Sequence, residues 1–483
     1  MKTLRLSLLA SAMTLVLSGC SQMPTYEKPE TDLPQRIGES ASAPGLVVPD
    51  TEQAWWSAFN DPMLTELINH TLAHNSQFAI AQHRLFQARA ALTQGRADAY
   101  PAVNAQGGVM RQQTSDMAFP QGQGAEFDNF SLGGLISYEV DLWGRVRANQ
   151  LRLDAQYQAM QADSEALRLS LSAQIATHYF SLRALDQMVQ IAKNTVVSRQ
   201  ENRQLRQRQY ELGRVTPLAV QQAEVELSRV EIQLISLEQQ RDTQRQALSV
   251  LAGYTPKQMI EKSQAADSPH GFDHTVIPGL PQDLSSEWLV RRPDILAAEQ
   301  RLIAANANIG VARAALFPKL SLNGLIGVSS ENLSDLFDGD AVQWQAQAGL
   351  TAPIFNAGAL RAQVQISEAE QQIMLAQYQQ TLRQAFAEAL NALSMQQRST
   401  AQLKAQERQI QALRQTLDLA QKRFDSGYSS YLEVLDAQRA LFDAEVSLVT
   451  TQRNVLNASI ELYKALGGHW AQTQADKAPT DAG

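Results

Sequence analysis

The chain has 483 residues, is 44% hydrophobic and 19% charged, and carries a formal net charge of -8. That acidic balance argues against nucleic acid as a partner. The single cysteine, Cys20, excludes an intramolecular disulfide and any cysteine-built metal site.

Lys2 and Arg5 precede a short apolar run from Leu6 to Leu17, the layout of an export signal over residues 1–19. The run is too short and too weakly apolar for a transmembrane helix. It ends in Leu17-Ser18-Gly19-Cys20, which resembles a bacterial lipobox; the alternative is an ordinary signal peptide with an incidental cysteine. On the lipobox reading, cleavage exposes Cys20 for an N-acyl chain such as palmitate and an S-diacylglycerol. Ser21, where Asp would mark inner-membrane retention, favours the outer membrane by resemblance to bacterial lipoproteins. Loss of Lys2 and Arg5 takes the net charge from -8 to -10. No long apolar run follows, so a mature chain that spans a membrane must do so as a β-barrel.

Residues 20–60 are expected to form a lipid-anchored extended arm. The first repeat, 61–253, opens with Asp61-Pro62, an N-cap and a proline at the first helical position. Helix is expected to about Tyr100, with a break near His74-Asn75 and a stop at Pro101. A β-hairpin follows over about 101–141. In its second strand Phe130, Leu132, Gly134, Ile136, Tyr138 and Val140 alternate with Ser131, Gly133, Leu135, Ser137, Glu139 and Asp141. Residues 145–212 contain no Gly or Pro, enough for a helix of roughly 100 Å. Gly213 closes it, and a short helix is expected over 217–252. Residues 254–287 form a proline-containing linker or equatorial segment. The second repeat, 288–468, has a hairpin over about 318–355, a long helix over 359–426 and a short helix over 430–466. The tail, 469–483, is polar and is expected to be disordered.

The halves match at an offset of 214 residues: Gly213, Leu218, Val220, Ala223, Leu227 and Gly253 recur as Gly427, Leu432, Val434, Ala437, Leu441 and Gly467. In both short helices apolar residues recur at steps of three and four, a coiled-coil seam. Four strands cannot close a barrel alone, so a membrane-spanning sheet requires several copies of the chain. Two copies give an eight-stranded barrel filled by side chains; a duct needs more. The polar face of each strand suits a wet lumen. Trp143 and Trp344 fit either an aromatic girdle or two partly buried tryptophans.

Pro24-Thr25-Tyr26-Glu27-Lys28-Pro29, Arg291-Arg292-Pro293-Asp294-Ile295, Phe317-Pro318, the stretch Gly427 to Arg439 and Tyr463 to Gly468 follow in that order. With the lipobox they resemble the TolC-like outer-membrane factors, specifically the lipoprotein branch that serves multidrug efflux. The resemblance implies a mainly α chain with a transmembrane β-barrel. It implies a homotrimer of twelve strands and a long helical periplasmic tunnel, working with a periplasmic adaptor and an inner-membrane pump. It implies that the turns Gly213, Arg214, Val215, Thr216 and Gly427, Tyr428, Ser429, Ser430 dock the adaptor. Leu432 and Asp436, with Leu218, match constricting positions of a periplasmic gate, and Arg423 and Tyr431 match residues that hold closed tips by polar contacts. For Asp436 the alternative is a solvated charge on a helix face.

No enzyme motif and no cofactor site is legible. His70 and His74 have helical metal-ligand spacing but no third ligand, and His270 and His274 lie in the linker. Drug export is the expected function. The alternatives are a duct for heavy-metal efflux or type I secretion, and a non-pore coiled-coil lipoprotein scaffold.

Overall fold

The computed structural model describes residues 21–34, 36–37, 54–115, 126–264 and 286–468. Cys20 and the signal, most of 35–53, the hairpin tip 116–125, linker residues 265–285 with His270 and His274, and the tail lie outside the described residues. The helices are α1 (Pro62–His74), α2 (Ser76–Ala97), α3 (Arg145–Glu211), α4 (Pro217–Leu251), α5 (Pro256–Gln264), α6 (Glu287–Val290), α7 (Pro293–Ala314), α8 (Ala359–Asp425) and α9 (Tyr431–Ala465). The strands are β1 (Ala102–Gln113), β2 (Glu126–Val140), β3 (Lys319–Ser330) and β4 (Val342–Thr351). Helix α5 occupies part of the segment read from its prolines as a linker; Pro256 sits at its first turn, where a missing N–H costs nothing. Among the described residues no helix is long and apolar enough to cross a membrane.

Two compact units divide the chain, and α3 and α8 contribute to both. The first unit contains the sheet, ordered β1-β2-β3-β4 with every neighbour antiparallel. The two hairpins therefore join through β2 and β3, while β1 and β4 are edges. Gly133 faces Gly327 at that junction, and a Cβ on Gly327 would meet the Gly133 Cα at 2.6 Å. Glycine is what allows the two backbones to approach. Trp143 lies just past β2, stacked on Phe317 at 4.7 Å with its Nε1 donating to the Pro318 carbonyl at 2.8 Å. Trp344 instead lies on β4 and is 75% exposed.

The arm runs along α7 in the same unit. The Gln22 amide donates to the Trp143 carbonyl at 3.3 Å. Asn306 Nδ2 donates to the Pro24 carbonyl at 2.9 Å, and Lys28 Nζ pairs with Glu299 at 2.9 Å. Met23 sits against Gly310, where a Cβ would meet the Met23 Cβ at 2.7 Å. Burial, and then the Glu299 carboxylate, push the Tyr26 phenol up to about 12.

The second unit is built around Trp55, Trp56, Phe59, Phe180 and Tyr463, with Leu64, Ile68 and Leu289 fully buried beside them. Asp61 caps α1, accepting from the Met63 and Leu64 amides at 3.0 and 3.1 Å, and its other oxygen accepts from Tyr179 Oη at 2.8 Å. Arg292 of the Arg-Arg-Pro-Asp-Ile run is buried. It donates to Asp294 and Glu388, both at 2.7 Å, and to the Ala465 carbonyl at the end of α9 at 2.9 Å. His70 and His74 stack at 4.2 Å, and the His74 Nδ1 bonds the His70 carbonyl. Among the described residues no group of three His, Cys, Asp or Glu side chains could hold a metal.

Candidate functional site at the helix turns

The turns α3–α4 and α8–α9 share one backbone solution. Gly213 and Gly427 have φ of 69° and 77°, the left-handed region that costs a side-chain-bearing residue energy. At the first turn the Gly213 amide donates to the Tyr210 carbonyl and the Arg214 amide to the Gln209 carbonyl, both at 2.8 Å. At the second, Gly427 donates to Phe424 and Tyr428 to Arg423, both at 2.9 Å. This is a Schellman motif, which satisfies the last carbonyls of each long helix. Thr216 and Ser430 then cap the short helices in extended geometry, without a side-chain cap bond.

Above these turns lies the seam that the apolar periodicity predicts. Val220, Ala223, Leu227, Val230 and Leu237 are buried on α4, and Val434, Ala437, Ala444, Thr451 and Val455 on α9. Leu441 and Leu448, at equivalent positions of α9, are only half-buried.

The residues singled out from sequence fall into two sets. Leu218, Leu432 and Asp436 are exposed, and Leu432 and Asp436 lie one turn apart on α9. Arg214, Thr216, Tyr428 and Ser430 are also exposed, Tyr428 at 82%; Val215 and Ser429 are half-buried. The Arg423 side chain forms an ion pair at 3.9 Å with Glu433, both ends solvated. Tyr431 is engaged through its ring, which packs against Phe424 with centroids 5.4 Å apart.

The cation on that aromatic pair is Arg206, which sequence reading did not single out as a site residue. It is 6% exposed, with its guanidinium carbon 4.0 Å from the Tyr431 ring and 5.0 Å from that of Phe424. A desolvated guanidinium over two rings is a strong cation–π arrangement. A second missed group is Arg439. Its Nε donates to Glu226 at 2.8 Å, its Nη2 contacts the same carboxylate, and its Nη1 reaches Asp436 at 3.3 Å. The Glu226 side chain is 3% exposed. Hydrogen bonding to Glu226 is the main reason the Arg439 guanidinium is held above its ordinary range. A third is Arg199, also buried, whose Nη1 donates to Gln438 Oε1.

All three missed contacts join the first repeat to the second. A signal for them existed, because each breaks the 214-residue match. Arg206 aligns with Ala420, Arg199 with Leu413, Arg439 with Val225, Glu226 with Ala440, and Tyr431 with Pro217.

A family model for the outer membrane efflux protein matches residues 67–254 and 284–468, covering both repeats. The chain is 33% identical over 470 residues to the probable efflux pump outer membrane protein TtgC of Pseudomonas putida, covering 96% of each. It is also 33% identical over 468 residues to the cation efflux system protein CusC of Escherichia coli, covering 96% of this chain and 99% of that one. The crystal structure of the Campylobacter jejuni CmeC outer membrane channel matches with a TM-score of 0.85 at 25% identity, over 94% of this chain and 96% of that one. With two duplicated helix turns, a four-stranded sheet and this whole-length similarity, the chain belongs to the outer membrane efflux protein family.

Proposed function

We propose that three copies of this chain form one outer-membrane duct, which receives cargo from a periplasmic adaptor and an inner-membrane pump and releases it outside the cell. The observation that carries this reading is the sheet: four antiparallel strands with β1 and β4 left as edges. In lipid those edges would leave rows of unsatisfied backbone groups, so the sheet must continue into other copies. Four strands from each of three copies make twelve, wide enough for a lumen, whereas eight would be filled by side chains. Exposed apolar residues support it. Val103, Val109, Ile326 and Leu350, on one face of the sheet, suit contact with lipid.

In this reading Cys20 carries the lipid. The arm supports that placement, since residues 21–22 lie beside Gly144 and Trp143 at the foot of the sheet. The turns at Gly213 to Thr216 and Gly427 to Ser430 dock the adaptor. Leu432 and Asp436 form apolar and acidic rings on the three-fold axis, with Leu218 beside them and Arg423 and Tyr431 supporting the closed turn. Three close carboxylates attract cations and repel one another, which suits a selective constriction.

The cargo is drugs or other small toxic compounds. Cation efflux is the second reading, because CusC matches at the same identity as TtgC. Deleting the gene and profiling susceptibility tests both. Sensitivity to antibiotics, dyes or solvents supports the first reading. Sensitivity confined to metal cations selects the second, and an unchanged profile contradicts both. Cross-linking of isolated outer membranes should stop at three chains; a species that stops at one or two would exclude the twelve-stranded duct.

A further inference from the structure

Between α3, α8 and α9 in the second unit lies a cleft of about 520 Å³. That is within the size range of small-molecule sites. Its unusual component is Arg199. The residue is 7% exposed, and its Nη1 donates to the neutral Gln438 amide while its Nε has no hydrogen-bond partner among the described residues. No carboxylate among the described residues forms an ion pair with it. The other guanidinium on the wall, Arg414, is already matched by Glu445 at 3.2 Å. The cleft therefore holds a guanidinium away from water with no ion-pair partner among the described residues. Burying a charge without a counter-ion is costly, and an anion that enters recovers part of that cost.

The rest of the wall defines the anion. Gln187 and Gln452 line the cleft, each with an amide oxygen that lacks a partner among the described residues. A half-turn of either amide presents its N–H donors instead. Leu417, Leu441, Leu448 and Val449 supply an apolar side. Leu441 and Leu448 of the α9 seam are both half-buried, so that seam is open where the cleft lies. Glu445 on the same wall disfavours a second negative charge.

We propose that this cleft binds an amphipathic monocarboxylate, with Arg199 as its counter-ion and the open leucine seam as its apolar contact. Burial pulls the Arg199 guanidinium below its ordinary range, although Tyr431 and Glu226 act the other way. A bound carboxylate reverses that destabilisation and ties α3 to α9 at Gln438, next to Arg439. The inference does not rest on the duct reading, since it concerns a cleft within one chain.

The test uses the full-length protein in lipid nanodiscs and para-trifluoromethylphenylacetate, followed by fluorine NMR. Saturable line broadening is expected for wild type. Binding should weaken at least roughly tenfold, about 1.4 kcal/mol, in Arg199→Gln. It should weaken similarly in Ser198→Trp, which places a large ring on an exposed residue lining the cleft. The uncharged amide of the probe should not bind, and acetate should compete only weakly. Absence of saturable binding to wild type overturns the proposal. So does undiminished binding to an Arg199→Gln protein with wild-type circular dichroism, or equal binding of the amide. Acetate competing as well as the probe overturns the amphipathic assignment. If Arg199→Gln does not fold, Ser198→Trp decides: binding at wild-type strength places the ligand elsewhere.

Discussion

At the first helix turn, Gly213 leads into Pro217, Leu218 and Gln222; at the second, Gly427 leads into Tyr431, Leu432 and Asp436. The backbones are near copies, with the same positive φ and the same paired carbonyl caps. The side chains are not. Only the second turn presents an aromatic pair to a buried arginine, and only the second carries the arginine, Arg439, that holds Glu226 of the first repeat and Asp436 of its own helix. Duplication kept what a helix reversal requires, which is a left-handed glycine and an apolar seam. Divergence went into the polar contacts that join one repeat to the other. A duct wall needs the first in both copies, whereas a constriction can be held by contacts made once per chain.

The largest test of this contrast is Arg439→Ala. It leaves Glu226 buried without its partner and should destabilise the protein by about 3 kcal/mol, read as thermal unfolding by circular dichroism. The aligned change in the first repeat, Val225→Ala, removes a 61% exposed side chain and should stay within about 0.5 kcal/mol. If the two variants unfold alike, the ion pair contributes little to the second turn. Next is Arg206→Ala, which removes both ring contacts and should cost about 2 kcal/mol. Tyr210→Ala, at the position aligned with Phe424, should cost much less.

A third pair addresses what the turns share. Gly213→Ala and Gly427→Ala should each cost about 1 kcal/mol from left-handed strain alone, because no atom of the described residues lies within 4 Å of either added Cβ. Unequal costs would show that the backbones are less alike than their dihedrals. The smallest effect on stability, and the most specific one on transport, is expected for Asp436→Asn. Unfolding should barely move, while the preference of single-channel currents for cations falls. Gln222→Asp should raise that preference by adding carboxylates at the first turn.

Much of this architecture was legible because it follows local rules. Two runs without Gly or Pro read as long helices, and the long helices end two residues before Gly213 and Gly427. Alternation in Phe130 to Val140 marked β2, and Asp61-Pro62 marked the start of α1. What escaped was long-range. Arg206 lies on a polar helix surface in sequence, and nothing local announces that Phe424 and Tyr431 arrive over it. Glu226 and Arg439 stand 213 residues apart and look like ordinary surface charges until the repeats pack. The cue that could have found them was negative: where two copies of one wall disagree, the disagreeing residues have acquired contacts outside the repeat. Short helix α5 was hidden for another reason, since its segment is rich in the residues that usually break structure.

Single-channel conductance across a planar bilayer tests the central claim most directly, comparing wild type with Arg206→Ala/Arg439→Ala and with the first-repeat pair Tyr210→Ala/Val225→Ala. The account predicts a small conductance for wild type, a clear rise when the second turn is loosened, and no change for the first-repeat pair. Absence of channel activity in every form would contradict the duct, and an equal rise in both double variants would contradict a constriction held by the second turn.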